Sequence, residues 1–274
     1  MRADASTNAR ADTPMKTIID RLAHGRPVLA LGVRSSRTGE IARIAKTTGH
    51  DMIWVDLEHS AMPLDAAAQI CSCAVDIGLA PFVRIPEREY GAIGRVLDGG
   101  ATGIIAPRIE TLAQAQDVIA ACRFPPLGHR SAIAGLPQLG YRRMPAAELF
   151  ETMNQLVAIQ ILIESPLGMT NIAEIAALPG VDMIAIGTND LSAELGVPGD
   201  FKHPLVRAAH ERAIGACKLA GKPVAIGGIG DAAYCADLIA LGAAPFLMTG
   251  IDTDLLLSAA QAQATRALAT LQGV

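Results

Sequence analysis

Aromatic residues are scarce in this chain. Only 3% of its 274 residues are Phe, Tyr or Trp, although 51% are hydrophobic. The core must therefore be built from Ala, Val, Ile and Leu, which suits a helix-clad parallel sheet better than an aromatic-rich sandwich. Positive charge is also in deficit, with 23 Lys and Arg against 27 Asp and Glu, a net charge of −4 that argues against nucleic acid as the main partner. No apolar run reaches the roughly 18 residues that span a bilayer, so no membrane is expected as a partner. Met1 to Pro14 lacks the apolar centre of a signal peptide and is expected to be a flexible tail or an engineered or mis-assigned start. The five cysteines are an odd number (Cys71, Cys73, Cys122, Cys217, Cys235), without metal-ligand spacing. They read as buried reduced thiols of a cytoplasmic protein.

What is present is a repeat of short apolar runs and helical patterns. Strands are expected at Pro27–Val33, Met52–His59, Pro81–Ile85, Gly103–Pro107, Val157–Ile163, Val181–Gly187, Pro223–Gly227 and Pro245–Met248. Each is followed by a segment of helical period, as in the run Leu64, Ala67, Ala68, Cys71. Eight such units with no Pro/Ser-rich linker predict a single (β/α)8 barrel domain over residues 15–274, with 1–14 as the tail. An open doubly wound sheet is the rival, but no G-x-G-x-x-G turn follows the first strand. The pattern breaks between Phe124 and Pro145, a loop long enough to suggest a lid or a binding wall.

Barrel chemistry sits at the C-terminal ends of the strands. Those ends carry Glu58-His59, Arg84, Arg108, Glu164 and Asn189-Asp190 on strands two to six, then only Gly227-Gly228 and Thr249-Gly250. Glu164 and Asp190 end neighbouring strands about 4.8 Å apart, close enough for both carboxylates to reach one hard divalent ion such as Mg²⁺ or Mn²⁺. A helix N-cap is the competing role for Asp190. His59 suits proton transfer and Arg84 suits a developing oxyanion or enolate. This set points to chemistry beside a carbonyl: a chelated 2-oxo acid whose enolate forms by retro-aldol cleavage or attacks an aldehyde. The backbone following Asn189 is placed to hold the carboxylate. Ile226-Gly227-Gly228-Ile229-Gly230 fits either a phosphate cradle or a plain tight turn. His24, His50, His203 and His210 read as surface or capping residues, while His129-Arg130 in the long loop could touch substrate.

Asp56-Leu57-Glu58-His59, Val83-Arg84-Ile85-Pro86, Asp98-Gly99-Gly100, Pro125-Pro126-Leu127-Gly128-His129-Arg130, Ile163-Glu164-Ser165 and Gly187-Thr188-Asn189-Asp190 together resemble the HpcH/HpaI aldolase family, from about Gly32 to Gly250. The resemblance implies a metal-dependent aldolase using Mg²⁺, Mn²⁺ or Co²⁺ on 4-hydroxy-2-oxo acids. Pyruvate or a related 2-oxo acid and an aldehyde would be its small-molecule substrates. It implies Glu164 and Asp190 as metal ligands, His59 as base, Arg84 as enolate stabiliser, and the backbone of Asn189 and Asp190 as carboxylate receiver. It further implies that Asp98 tunes His59, supplied by a neighbouring subunit of a homohexamer. Asp56 is the other candidate for that partner. Two departures stand out: Leu162 occupies the place of a Gln two residues before the metal Glu, and Gly-Thr-Asn-Asp replaces Gly-Pro-Ala-Asp. The alternatives are an oxaloacetate decarboxylase, a citryl/malyl-CoA-type lyase, or a barrel that binds without turnover. The first two share the enolate; the third would waste an intact set of acid, base and cation.

Overall fold

The computed structural model describes residues 17–272; the expected tail at 1–14 lies outside them. A short helix α1 (Thr17–Ala23) leads into β1 (Val28–Val33), α2 (Glu40–Thr47), β2 (Met52–Asp56), α3 (Leu64–Asp76), β3 (Ala80–Arg84), α4 (Gly91–Asp98), β4 (Gly103–Ala106) and α5 (Leu112–Cys122). After a 3-10 turn at Pro137–Leu139 come α6 (Ala146–Leu156), β5 (Ala158–Ile163), α7 (Pro166–Ala177), β6 (Met183–Gly187), α8 (Thr188–Glu194), α9 (Pro204–Ala220), β7 (Val224–Gly227), α10 (Ala232–Leu241), β8 (Phe246–Ile251) and α11 (Asp252–Gln272). All strand pairs are parallel and run in the order β7-β6-β5-β4-β3-β2-β1-β8. This is the expected eight-stranded barrel. It is nearly closed: β7 and β8 face each other without hydrogen-bonded pairing among the described residues.

Side chains alternate across each strand, and the sequence fills the two sides differently. Ile53 and Val55 of β2, Ile159, Ile161 and Ile163 of β5, and Ile184 and Ile186 of β6 point outward into one large core shared with the helices. Met52, Trp54, Phe82, Ile105, Leu162, Ala185, Ala225 and Phe246 point inward and pack the barrel's own interior. Truncating an outward Ile such as Ile159, which is fully buried, should cost about 2–5 kcal/mol. The continuous apolar run of β5 thus has a physical cause, because both of its faces are covered.

Two regions depart from the even pattern. Residues 123–145 lie at the N-terminal ends of the strands, opposite the mouth. Arg123 donates to the Val157 and Gly180 carbonyls (2.7 and 3.3 Å) and to Asp182, all ahead of β5 and β6. Gln138 donates to the Leu97 and Ala101 carbonyls (2.6 and 2.8 Å), ahead of β4. This loop is a floor of the barrel and forms no lid over the chain's own mouth, contrary to the expectation from its length. The other departure is α11, exposed from residue 254 to residue 271 with Leu256, Leu257, Leu268 and Leu271 among its uncovered side chains.

Candidate active site

Asp56 ends β2 and is fully buried. Its Oδ1 accepts the backbone N–H groups of Glu58 (3.1 Å) and His59 (3.2 Å), folding the chain into a turn that sets both side chains on the mouth. The same carboxylate takes two bonds from Arg84 at the end of β3, Nε to Oδ1 at 3.0 Å and Nη2 to Oδ2 at 2.7 Å. Arg84 Nη1 lies 3.1 Å from Glu58, and its guanidinium stacks 5.2 Å from the Trp54 ring centroid. Burial would raise the Asp56 carboxyl, but the hydrogen bond and charge of Arg84 hold it below the usual range. Glu58 moves the other way, up, because burial outweighs Arg84 and His59. Arg84 is therefore held as a rigid, charged fork.

Across the mouth, Glu164 leaves β5 and the next residue already caps a helix: Ser165 accepts from Gly168 N–H at 3.1 Å, with Pro166 at the first helical position. Glu164 is 6% exposed. Its Oε1 accepts the Arg108 N–H at 2.8 Å, and Arg108 adopts φ 51° to present it. Oε2 lies over Gly187, where a Cβ would sit 2.4 Å away, so only glycine leaves this oxygen room. Burial first, then repulsion from Asp190 and Glu58, raises the Glu164 carboxyl to about 7. A buried acid repelled by an exposed one beside it suits a shared cation, whose charge would relieve the repulsion. Among the described residues no group of three or more His, Cys, Asp or Glu side chains is arranged to hold a metal ion. A cation here would therefore have two carboxylate ligands, with its other positions left to substrate and water.

These groups wall a cavity of about 370 Å³ lined by His59, Arg84, Glu164, Asn189 and Asp190, with Arg34, Trp54, Gln160 and Leu162 among its other walls. A space of this size accommodates a small organic acid. Residues 34–259 match the model of the HpcH/HpaI aldolase/citrate lyase family. The chain is 36% identical over 214 residues to the 4-hydroxy-4-methyl-2-oxoglutarate aldolase cghB of Chaetomium globosum, covering 77% of this chain and 80% of that protein. It is 32% identical to the 2-keto-3-deoxy-L-rhamnonate aldolase of Klebsiella pneumoniae, covering 80% and 81%. The crystal structure of an HpcH/HpaI aldolase from Desulfitobacterium hafniense superposes with a TM-score of 0.82 at 27% identity, covering 93% and 96%. The chain belongs to the HpcH/HpaI aldolase/citrate lyase family. It is an aldolase-type lyase, and the ligand-binding barrel without turnover is not favoured.

Within this HpcH/HpaI barrel the expected residues are not all brought together. Asp98 lies at the far end of α4, where its Oδ1 accepts from Arg130 Nη2 at 2.7 Å. Arg130 is buried in the floor loop, so neither it nor Asp98 meets His59 of the same chain. Asp56 reaches only the backbone of His59. The carboxylate nearest the His59 ring is Glu58, 3.7 Å from Nε2. Gly228, the first residue after β7, is explained by packing: it has φ +85°, and a Cβ there would lie 2.6 Å from Asn189 Nδ2.

Other residues escaped the sequence reading. Gln160 lies on the same face of β5 as Leu162, one layer deeper, 4% exposed and with its Oε1 unpartnered among the described residues. The amide expected two residues before Glu164 is thus found four before it, a position that alternation along the strand marks as inward. His210 is not at the surface. It is fully buried between Thr188 (Nε2 to Oγ1, 3.1 Å) and Tyr234 (Nδ1 to OH, 3.2 Å), and burial first, then Arg207, lowers it to about 4. This neutral ring buttresses the first residue of α8.

Proposed function

We propose that this aldolase cleaves 4-hydroxy-2-oxo acids reversibly to pyruvate, or a related 2-oxo acid, and an aldehyde. The supporting observation is the buried Glu164 carboxylate, with the exposed Asp190 carboxylate repelling it, facing the fixed Arg84 fork across one cavity. Glu164 and Asp190 would hold a divalent ion, Mg²⁺, Mn²⁺ or Co²⁺. Such an ion polarises a bound 2-oxo group and supplies positive charge for an enolate. The backbone N–H groups of Asn189 and Asp190 receive the carboxylate. His59, 54% exposed at the rim, takes the proton from the 4-hydroxyl as C3–C4 breaks. The electron pair of that bond moves to C3, and the C4 oxygen becomes the aldehyde carbonyl. Arg84 donates hydrogen bonds to the enolate oxygen, and a proton returned to C3 completes pyruvate. Asp98 reaches His59 only from another subunit, where it would orient the ring.

A homo-oligomer, of the hexameric kind expected from the sequence, fits the apolar residues that α11 leaves uncovered. No helix of the described residues is long and apolar enough to cross a membrane, which accords with a cytoplasmic enzyme. An oxaloacetate decarboxylase would use the same enolate without needing His59 to deprotonate a hydroxyl. Pyruvate release from a 4-hydroxy-2-oxo acid, with and without chelator, is the deciding assay. Turnover that survives full chelation would remove the metal from the mechanism. Release from oxaloacetate alone would favour the decarboxylase.

A further inference from the structure

Arg34 follows β1 directly and forms part of the cavity wall. Its position is built rather than incidental. The Arg34 N–H donates to Asp252 Oδ1 at 2.9 Å, the Ser36 N–H donates to Oδ2 at 2.7 Å, and the Ser35 N–H reaches the same carboxylate at 3.1 Å. Burial would raise the Asp252 carboxyl, but these N–H groups hold it at about 2.

The guanidinium rests on Asp56, with Nε and Nη2 both 3.1 Å from Oδ2. Asp56 does not need this second cation, because Arg84 already binds it through both prongs and two backbone N–H groups fill Oδ1. Arg84 has Glu58 as well, whereas Arg34 has no carboxylate of its own. Its Nη1 makes no hydrogen bond to the described residues, and the side chain is 30% exposed. In the strand order, β1 stands four places from β5, diametrically across an eight-stranded barrel. A molecule anchored at Glu164 and crossing the cavity would come to the wall that Arg34 helps to form.

We propose that Arg34 receives a second carboxylate at the far end of the substrate, so that the enzyme selects diacids of the 4-hydroxy-2-oxo class over those with neutral tails. The inference rests on the reading that the 2-oxo acid end binds at Glu164 and Asp190. The relatives described above are named for a methylated oxoglutarate and for a sugar acid, so membership of the family does not decide the point. A planar fork with a free N–H edge matches a carboxylate.

The test uses the metal-loaded full-length protein and a matched pair of ligands. These are 2-oxoglutarate and 5-methyl-2-oxohexanoate, which has an isopropyl terminus in place of the second carboxylate. Trp54, the single tryptophan, lies in the cavity wall beneath Arg84 and reports binding by its fluorescence. The wild type should prefer the diacid by about 10- to 100-fold, the range of a hydrogen bond to a charged group. Arg34→Met should bring the ratio to within about threefold, while Arg34→Lys, which keeps the charge, should retain part of it. Near-equal binding by the wild type, or an undiminished preference in a folded Arg34→Met, overturns the proposal. Pyruvate release is measured separately. If it persists while the ratio fails, only Arg34's role falls; absent pyruvate release, or no binding of either ligand, removes the underlying reading too.

Discussion

The two sides of the barrel are built to different standards. From β2 to β6 every strand is hydrogen-bonded on both edges, the outer faces are buried by helices, and the mouth carries the acids and cations. From β7 to β8 the seam is unpaired, and the mouth on β7 offers only glycines. Leu247 and Met248 of β8 are exposed, and α11 carries a run of leucines away from the barrel. The rigid side has the features that fixed chemistry requires, since a site must be held by locked neighbours. The open side has the features of a surface awaiting cover, since monomers rarely leave so many large apolar side chains uncovered together.

The contrast can be broken most forcefully on the rigid side. Glu164→Gln should lower kcat/KM by at least about 1,000-fold, the scale of several kcal/mol of charge stabilisation. It should also abolish the rise in melting temperature on adding Mn²⁺; a retained metal shift would place the ion elsewhere. Arg84→Ala should cost about 100- to 1,000-fold in kcat, as loss of an oxyanion donor does, with Mn²⁺ binding preserved by calorimetry. Unchanged turnover would reassign the fork to structure alone.

The open side is sharpened by changing Leu256, Leu257 and Leu268 to Glu together. If α11 is covered in an assembly, the variant should sediment as a smaller species than the wild type. If the helix is solvated, mass is unchanged and each substitution costs within about 0.5 kcal/mol. The last effect is on stability rather than turnover and concerns His210. Its folded-state pKa lies below the unfolded value, so the unfolded chain takes up the extra proton, and stability should fall as pH drops from 6.5 toward about 4. The contribution is up to about 3 kcal/mol over that window. His210→Gln should flatten the slope in denaturant titrations at pH 7, 5.5 and 4.5; an identical slope would place the titrating group elsewhere.

Much of the rigid side was legible in the sequence, because strand ends are fixed by period and a barrel's chemistry is confined to them. Glu164, Asp190, His59 and Arg84 all line the one predicted mouth. The missed features depend on contacts that no local pattern carries. Arg130 closes on Asp98 across 32 residues of chain, and Asp252 reaches Arg34 across 218. His210 sits on a helix like many surface histidines, and only the packing of α9 against α8 and α10 buries it. Residues 123–145 have the length of a lid, yet Arg123 and Gln138 bind carbonyls at the barrel's floor. Gln160 is a different case: its inward direction was readable by counting back in twos from Glu164.

Asp252 is both the first residue of α11 and the acceptor for three consecutive N–H groups of the loop that carries Arg34. There is no linker between β8 and this helix. A torque on the projecting arm therefore has one short lever, which ends at the cavity wall opposite Glu164. In this molecule a single carboxylate ties the base of the exposed helix to the loop that carries Arg34.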